Sequence, residues 1–299
     1  MTSPLSVALI GLDSSHTNAF AKRMNDPACP DHQKIPELHA QSCLRFESAF
    51  QDKEGLDQRQ QELESWGVRV TEDFGEVVAN CDVIMLELND PVMHLEYFER
   101  VAGLGKPVFL DKPLADTLDN GRRITSLAEA NGVRLWSSSS LRFVRGLKEA
   151  SQAVPCPDLC NVYGPLGKAA SGSDVVWYGV HTFEMMTAAM GLGAKTLYAR
   201  RDEKGIITTI VYDDGRRAVV ELNDGAFFYG GRLQSSDKVS VFQVGASDTL
   251  YDNLLARVRD FFLGDDAPVP LEETLEIQAI LNGVECSLEE GVEVRIAEA

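Results

Sequence analysis

The chain has 299 residues, 44% of them hydrophobic, which is enough for two domains with well-buried cores. Its formal net charge is −18, from 28 basic and 46 acidic residues spread along the sequence. This charge repels nucleic acids and anionic membranes, so we expect neither as a partner. No stretch approaches the roughly 20 apolar residues of a membrane span, and the first apolar run is too short for a signal peptide.

The six cysteines lie far apart, and none belongs to a C-x-x-C motif. In a chain of this size, such spacing favours reduced thiols over disulfides or a cysteine metal site. We therefore expect a cytoplasmic protein.

The first 140 residues alternate short apolar runs with helical patterns. Strands are predicted at 7–12, 38–44, 83–88, 107–110 and 133–138. Helical periodicity fills the intervals between the last three runs, and the second of these helices is stopped by Gly132. This alternation predicts a doubly wound parallel sheet, whose ligands bind beyond the carboxyl ends of its strands.

Residues 141–299 have a different sequence pattern. Runs of β-branched and aromatic residues are punctuated by "DDG", "NDG" and "GG", which are hairpin signals. One helical pattern precedes these runs and two follow them. We therefore predict an α+β domain with a mostly antiparallel open sheet and helices on one face.

The turn after the first strand departs from a dinucleotide-binding pattern. In "VALIGLDSSH", residues 7–16, Gly11 matches the first glycine of the G-x-G-x-x-G motif. Asp13 and His16 occupy its second and third glycine positions. The carboxylate charge of Asp13, placed about 4 Å from a phosphate charge, would cost about 4 kcal/mol at an effective dielectric of about 20, unless Asp13 turns away.

The same turn can cap the next helix, which we expect to begin near Ser15. Asp13 or Ser14 can accept its first backbone N–H groups. Two alternatives follow: a helix cap alone, or a cap that also holds a phosphate with backbone N–H groups and the hydroxyls of Ser14 and Ser15.

Two side chains after the second strand bear on the choice between NAD and NADP. Arg45 would suit a 2′-phosphate, whereas Glu47 would suit a 2′-hydroxyl, so the sequence leaves both cofactors open.

"FLDKPLA", residues 109–115, places Asp111 and Lys112 at the carboxyl end of the fifth strand, with Pro113 ending it. A lysine there can hydrogen-bond a hydroxyl or ketone and stabilise an oxyanion. A solvated loop lysine is the alternative.

Five motifs, in order, resemble the glucose-fructose oxidoreductase / inositol dehydrogenase / MocA family. "DKPLA" resembles its E-K-P motif, and the stretch from Leu88 to Ala115, with His94, resembles the segment leading to it. "SSSSLRF" (137–143) resembles its sixth strand, "GVHTFEMM" (179–186) its G-x-H-x-x-D, and "PVPLEETLEIQAILNGVECSLEEGVEV" its closing helix and strand.

The resemblance implies a Rossmann domain over 1–140, a substrate and oligomerisation domain over 141–299, and NAD(P)-dependent chemistry on a sugar, cyclitol or related polyol. Lys112 and His181 correspond to its catalytic residues, the histidine exchanging the substrate hydroxyl proton. The expected cofactor contacts are Gly11, Asp13, Ser14, Ser15, His16, Arg45, Asn89, His94, Asp111, Lys112 and Pro113. The expected substrate contacts are Arg142, Trp177, Tyr178 and Glu184.

No metal site is assigned, and a homodimer or homotetramer formed through the second sheet is expected from the same resemblance.

Two departures concern the histidine motif. Trp177 stands where the family has an aspartate four residues before the histidine, so the choice is between a stacking surface and a core tryptophan. Glu184 replaces an aspartate and lies one helical turn after His181, either at the site or as an acid favoured by the helix dipole.

Two other functions compete with the oxidoreductase. The first is a cofactor-poor ligand-binding or regulatory protein, which the lost glycines and Trp177 would suit. The second is a metal-dependent lyase or isomerase, for which the ligand types present are Asp13, His16, His94, His181 and Glu184.

Overall fold

A computed structural model describes residues 3–245 and 249–296. They form two compact units, each built from separate stretches of sequence. The first unit comprises the chain up to Asp111, Arg122–Ser137 and Tyr251–Val269. The second comprises Lys112–Gly121, Ser138–Leu250 and the chain from Pro270.

The strands in the described residues are β1 (Leu5–Ile10), β2 (Leu38–Leu44), β3 (Arg69–Thr71), β4 (Val83–Leu86), β5 (Val108–Asp111), β6 (Leu135–Ser138), β7 (Leu159–Pro165), β8 (Ala194–Asp202), β9 (Gly205–Tyr212), β10 (Arg217–Asn223), β11 (Gly230–Gln234), β12 (Val239–Gln243) and β13 (Val294–Arg295). The helices are α1 (Ser15–Asn25), α2 (Lys53–Ser65), α3 (Phe74–Val78), α4 (Met93–Ala102), α5 (Leu118–Ala130), α6 (Arg145–Ala153), α7 (Val180–Met190), α8 (Leu250–Leu263) and α9 (Leu271–Glu290).

A parallel six-stranded sheet is formed by the described residues in the order β3-β2-β1-β4-β5-β6. Every residue of β4 and β5 is buried, as expected for strands covered on both faces. The strand order reverses between β1 and β4, which is the switch point where such sheets bind ligands. The predicted doubly wound sheet is confirmed, with the three-residue β3 as an unpredicted addition.

The second unit contains a seven-stranded sheet among the described residues, ordered β12-β11-β7-β10-β9-β8-β13. Its pairings are antiparallel except for β7 with β10, which run parallel. The "DDG" signal forms the hairpin between β9 and β10. The predicted mostly antiparallel sheet is therefore confirmed.

One face of this second sheet forms a core with helices α7 and α9. Fully buried side chains include Phe183 from α7, Ile210 and Val220 from the sheet, and Ile280 from α9. Each such side chain contributes about 1.5–3 kcal/mol through burial. The alternation of buried and exposed residues along β9 and β10 leaves the opposite face half-exposed.

Residues 251–269, which include nearly all of α8, pack within the first unit. Arg23 in α1 pairs with Asp252, with Nε 2.6 Å from Oδ1. The Phe261 ring lies edge-on to the ring of Trp136 in β6, with centroids 5.9 Å apart. A late segment of sequence thus completes the core around the parallel sheet.

Among the residues that the structure describes, no helix combines the length and apolar character needed to cross a membrane.

Candidate active site

The turn after β1 depends on glycine for packing. Gly11 has φ of +109°, and a Cβ there would lie 2.9 Å from the carbonyl oxygen of Glu87. Thr17 Oγ1 also donates to the Gly11 carbonyl at 2.9 Å. Gly11 is therefore required by the close approach of the segment after β4, whatever ligand the turn holds.

Asp13 turns its carboxylate away from the start of α1. Ser48 Oγ donates to Asp13 Oδ2 at 2.7 Å, and the backbone N–H of Asn89 donates to Oδ1 at 3.2 Å. Burial raises the pKa of Asp13, and these hydrogen bonds oppose that rise. The helix cap is Ser14, whose Oγ accepts the His16 N–H at 3.1 Å.

The His16 side chain extends from the first turn of α1 to the end of β5. Its Nδ1 lies 2.7 Å from Asp111 Oδ2, and its ring lies close to those of Phe20 and Tyr251. The third glycine position of the dinucleotide pattern is thus filled by a largely buried aromatic ring.

Glu87, directly after β4, is a site residue that the sequence analysis did not identify. It is fully buried and belongs with His16 and Asp111 to a group whose ligand-type atoms lie within 4.8 Å of one another. The available signal was an acidic residue interrupting the apolar run "VIMLEL".

A cavity of about 360 Å³ lies at the end of β2. Arg45 and the exposed Glu47 both line it. The Arg45 guanidinium is engaged, with Nη2 2.5 Å from Asp57 Oδ1 and Nη1 2.5 Å from Gln60 Oε1. The positive charge of Arg45 is therefore compensated within the protein.

Arg59, in α2, is a second residue that the sequence analysis missed. Its Nη1 donates to the carbonyl oxygen of Leu12 at 3.0 Å, so a partly buried guanidinium lies against the turn after β1. The spacing of 47 residues from Leu12 gave no local signal for this contact.

Asn89 and His94 hold the segment between β4 and α4. Asn89 Nδ2 donates to the Asp13 carbonyl oxygen at 3.4 Å, and His94 Nε2 lies 3.1 Å from the Leu88 carbonyl oxygen. His94 is completely buried. In this structure, both side chains have contacts that stabilise the protein backbone.

Lys112 begins the second unit immediately after β5, followed by Pro113. Its exposed fraction is only 8%, so it is not the solvated loop lysine of the alternative interpretation. Burial of the residue limits the mobility that a lysine has on an open surface.

His181 lies in the first turn of α7, after a π-helical segment, Val175–Gly179. Its Nδ1 is 2.7 Å from Ser139 Oγ, a partner that the sequence analysis did not single out. Ser139 Oγ also accepts the Leu141 N–H at 3.2 Å, which fixes the hydroxyl. The imidazole is therefore held in one orientation by a positioned serine.

Arg142 and Glu184 form a buried ion pair, with Nη1 2.8 Å from Oε2. Glu184 Oε1 accepts the Ser139 N–H at 3.1 Å, and Arg142 also pairs with Glu273. Burial raises the pKa of Glu184, whereas Arg142 lowers it. These contacts stabilise the backbone that carries Ser139.

Aromatic rings surround the His181 imidazole. Tyr178 meets it edge-on at 5.1 Å between centroids, and Tyr229 does so at 6.3 Å. The ring of Trp177 lies 5.2 Å from that of Tyr178, and both residues are half-buried. Trp177 is thus not a core tryptophan.

Comparisons with known proteins agree with this geometry. Residues 5–139 match the family model GFO_IDH_MocA, described as "Oxidoreductase family, NAD-binding Rossmann fold". The uncharacterized oxidoreductase YhhX of Escherichia coli K12 is 25% identical over 138 residues, in an alignment that covers 42% of this chain and 40% of YhhX. The chain thus aligns with less than half the length of this curated relative.

Two solved structures share the fold along nearly the whole chain. The myo-inositol 2-dehydrogenase of Lactobacillus plantarum gives a TM-score of 0.80 at 15% identity, covering 98% of this chain and 100% of the other. GenD2 from gentamicin A biosynthesis, in complex with NAD, gives 0.80 at 14% identity, covering 99% and 97%. Residues 5–139 are thus similar to a family of oxidoreductases with an NAD-binding Rossmann fold, and the fold of these two solved structures extends along nearly the whole chain.

Proposed function

We propose that the protein is an NAD(P)-dependent oxidoreductase acting on a CH–OH group of a sugar, cyclitol or related polyol. The observation that carries the proposal is the buried Lys112, directly after β5 of a sheet that matches the NAD-binding oxidoreductase family. Ligands of such sheets bind beyond the carboxyl ends of the strands. The similarity to a myo-inositol 2-dehydrogenase supports a polyol as the substrate class.

The first unit fits a dinucleotide at two places. Because Ser48 and Asn89 hold the Asp13 carboxylate, the start of α1 with Ser14 and Ser15 can receive a phosphate, and Arg59 adds positive charge beside that turn. The cavity at the end of β2 can receive the ribose, with Arg45 and Glu47 on its walls. When bound, the nicotinamide accepts or donates the hydride.

Lys112 stabilises the negative charge that develops on the substrate oxygen. An ammonium group in a largely buried position interacts more strongly with such an oxygen than it would in water. Asp111, the last residue of β5, and Pro113 flank Lys112, so the end of this strand positions the lysine.

His181 exchanges the proton of the substrate hydroxyl. An imidazole titrates near neutral pH, which suits it to general acid–base catalysis. Ser139 orients the ring through Nδ1, and the Arg142–Glu184 pair holds Ser139 in place. In this proposal Arg142 and Glu184 act on the substrate through Ser139 and His181.

Tyr178 and Trp177 form the substrate side of the site. The half-buried Tyr178 ring lies beside the His181 imidazole, and the half-buried Trp177 ring lies beside that of Tyr178. An aromatic face can pack against the apolar face of a sugar or cyclitol ring. At position 177, where the resembled family has an aspartate, this chain would thus contact the substrate by aromatic packing instead of by a carboxylate hydrogen bond.

The test combines cofactor binding with one variant. Wild-type protein is titrated with NADH and NADPH by fluorescence, and turnover is assayed with myo-inositol and related polyols. We expect saturable binding below millimolar cofactor. Lys112→Ala should lower kcat by about 100- to 1000-fold, the effect of removing one oxyanion donor.

Lys148→Ala, an exposed lysine on α6, is the control and should keep wild-type turnover. Thermal unfolding checks that both variants fold. The absence of cofactor binding up to millimolar concentration would favour the ligand-binding alternative. Equal turnover in the two lysine variants would remove the role of Lys112.

We also propose a homo-oligomer and a cytoplasmic location. The half-exposed face of the second sheet supports the first, because it offers apolar side chains such as Tyr198, Ile207 and Val241. The absence of disulfides among the six cysteines, all in the described part of the chain, supports the second.

A further inference from the structure

Three side chains of metal-ligand type meet at the carboxyl ends of neighbouring strands in the first unit. His16 lies in the first turn of α1, just after β1, Glu87 directly follows β4, and Asp111 is the last residue of β5. These strands are adjacent in the order β1-β4-β5. We propose that His16, Glu87 and Asp111 bind a divalent transition metal ion of the Zn²⁺ or Mn²⁺ class.

The distances suit a single ion. One ligand atom from each residue lies within 4.8 Å of the other two, and His16 Nδ1 is 2.7 Å from Asp111 Oδ2. Metal–ligand bonds of about 2.0–2.2 Å place two ligands of one ion about 3.4 Å apart in a tetrahedral site and about 3 Å apart at a right angle in an octahedral site. Side-chain rotations that bring the more distant ligand atoms closer by up to about 1.5 Å would complete the coordination.

Burial and charge favour a cation at this position. Glu87 is fully buried, and the side chains of Asp111 and His16 are 3% and 13% exposed. Two carboxylates this close repel each other most strongly away from water. A divalent ion would attract both carboxylates, and the ligand form of a histidine is the neutral imidazole.

The ligand set indicates the class of metal. An imidazole nitrogen with two carboxylate oxygens suits Zn²⁺ or Mn²⁺, whereas Mg²⁺ and Ca²⁺ prefer oxygen ligands alone. Three protein ligands also leave a coordination position for water or another oxygen, as in catalytic zinc sites.

This trio differs from the metal hypothesis drawn from the sequence, with which it shares only His16. In the structure, Asp13 accepts from Ser48, and His94 contacts the Leu88 carbonyl oxygen. His181 and Glu184 belong to the second unit. Glu87 and Asp111 take the places that the hypothesis gave to these residues.

The experiment measures metal binding alone, without nicotinamide or substrate. Chelator-treated protein is titrated with ZnCl₂ and with MnCl₂ by calorimetry, and metal content is determined after dialysis. We expect about one equivalent per chain, on the basis of a single three-ligand centre. Glu87→Gln and His16→Gln should each weaken metal binding by about 100-fold or more. Loss of a residue that only hydrogen-bonds a metal ligand already lowers metal affinity by about 10- to 100-fold.

Glu96→Gln, an exposed carboxylate on α4, is the matched control and should bind as wild type does. The metal should raise Tm in wild type and in Glu96→Gln, but not in Glu87→Gln. If Glu87→Gln does not fold, the Co²⁺ absorption spectrum of His16→Gln provides the second readout, since loss of a nitrogen ligand changes it.

Two results would overturn the site. One is wild-type protein that retains less than about a tenth of an equivalent after titration, which would leave His16 and Asp111 as an ordinary ion pair. The other is wild-type affinity in both His16→Gln and Glu87→Gln, which would place the bound metal elsewhere on the chain.

Discussion

At the residue scale, Asp13 shows how an acidic side chain can occupy a glycine position in this turn. Its carboxylate is buried and receives hydrogen bonds from Ser48 and Asn89, while Ser14 caps α1. Desolvation is the dominant influence and raises the pKa of Asp13. The folded protein therefore holds a proton there at a pH where the unfolded chain has released it.

This shift makes Asp13 a source of pH-dependent stability. An acid whose pKa is raised by folding stabilises the folded state at low pH, and that contribution is lost as the pH rises through its folded pKa. Asp13→Asn keeps an oxygen acceptor without the charge. We expect the unfolding free energy of wild type to fall relative to Asp13→Asn as the pH rises above the ordinary aspartate pKa of about 4.

Urea unfolding of both proteins at a series of pH values measures this difference. Ser48→Ala, which removes a hydrogen bond to the carboxylate, should enlarge the dependence. A difference between wild type and Asp13→Asn that stays constant with pH, or grows in the opposite direction, would contradict the assignment.

At the element scale, the join between β1 and α1 is fixed by the neighbouring β4 segment. Gly11 lies in a backbone region that favours glycine, and the Glu87 carbonyl oxygen occupies the space a Cβ would need. The start of α1, and with it Ser14 and His16, is therefore positioned by strand packing.

Replacing this glycine should destabilise the protein. Gly11→Ala combines an unfavourable φ with a contact of 2.9 Å, so we expect a loss of about 1–3 kcal/mol and a lower Tm. Gly103→Ala is the control, because Gly103 has φ of −66° and open space around its Cα. It should be neutral or stabilising by up to about 1 kcal/mol. Equal Tm values for the two variants would refute the packing role of Gly11.

Elements with strong periodicity could be predicted from the sequence. The strand at 38–44 and the helix beginning at Ser15 lie where the pattern indicates, and α9 is one of the two helices predicted after the hairpin runs. The three-residue β3 was missed because so short a strand has no measurable period. The first strand ends at Ile10, two residues earlier than predicted, because Gly11 breaks the extended conformation with its positive φ.

The candidate site was only partly predictable. Lys112 and His181 lie in recognisable motifs, and their catalytic roles stay predictions. Ser139 lies 42 residues from its partner His181, and Glu87 lies in an apolar run, so only the folded chain shows their contacts. Arg142 and Glu184 look like site residues in sequence, yet they contact each other, because a buried charge requires a partner.

At the scale of the whole molecule, the second sheet has one face with a continuous row of partly exposed side chains. The strand registers align Tyr198, Thr209, Val219, Asn161, Arg232 and Val241 across six strands. Ile207, on the same face of β9 as Thr209, is 46% exposed. A mixed apolar and polar surface of this kind suits association between copies of the chain.

We therefore expect wild-type protein to sediment as a dimer or tetramer. Ile207→Lys should weaken association by about 30-fold or more, equivalent to about 2 kcal/mol at a central interface position. Val92→Lys, which changes an exposed valine in the first unit, should leave association unchanged. Analytical ultracentrifugation over a concentration series distinguishes these outcomes, and a monomeric wild type would exclude the proposed interface.

The position of residues 251–269 has a consequence for folding during synthesis. Domains commonly fold in order as they leave the ribosome. Here the parallel sheet is complete by Ser138, but the Arg23–Asp252 pair and the Trp136–Phe261 contact need residues made more than a hundred positions later. The core of the nascent first unit therefore stays partly exposed until the strands β7–β12 of the second sheet have been translated. During this interval a chaperone would have the most apolar surface to protect.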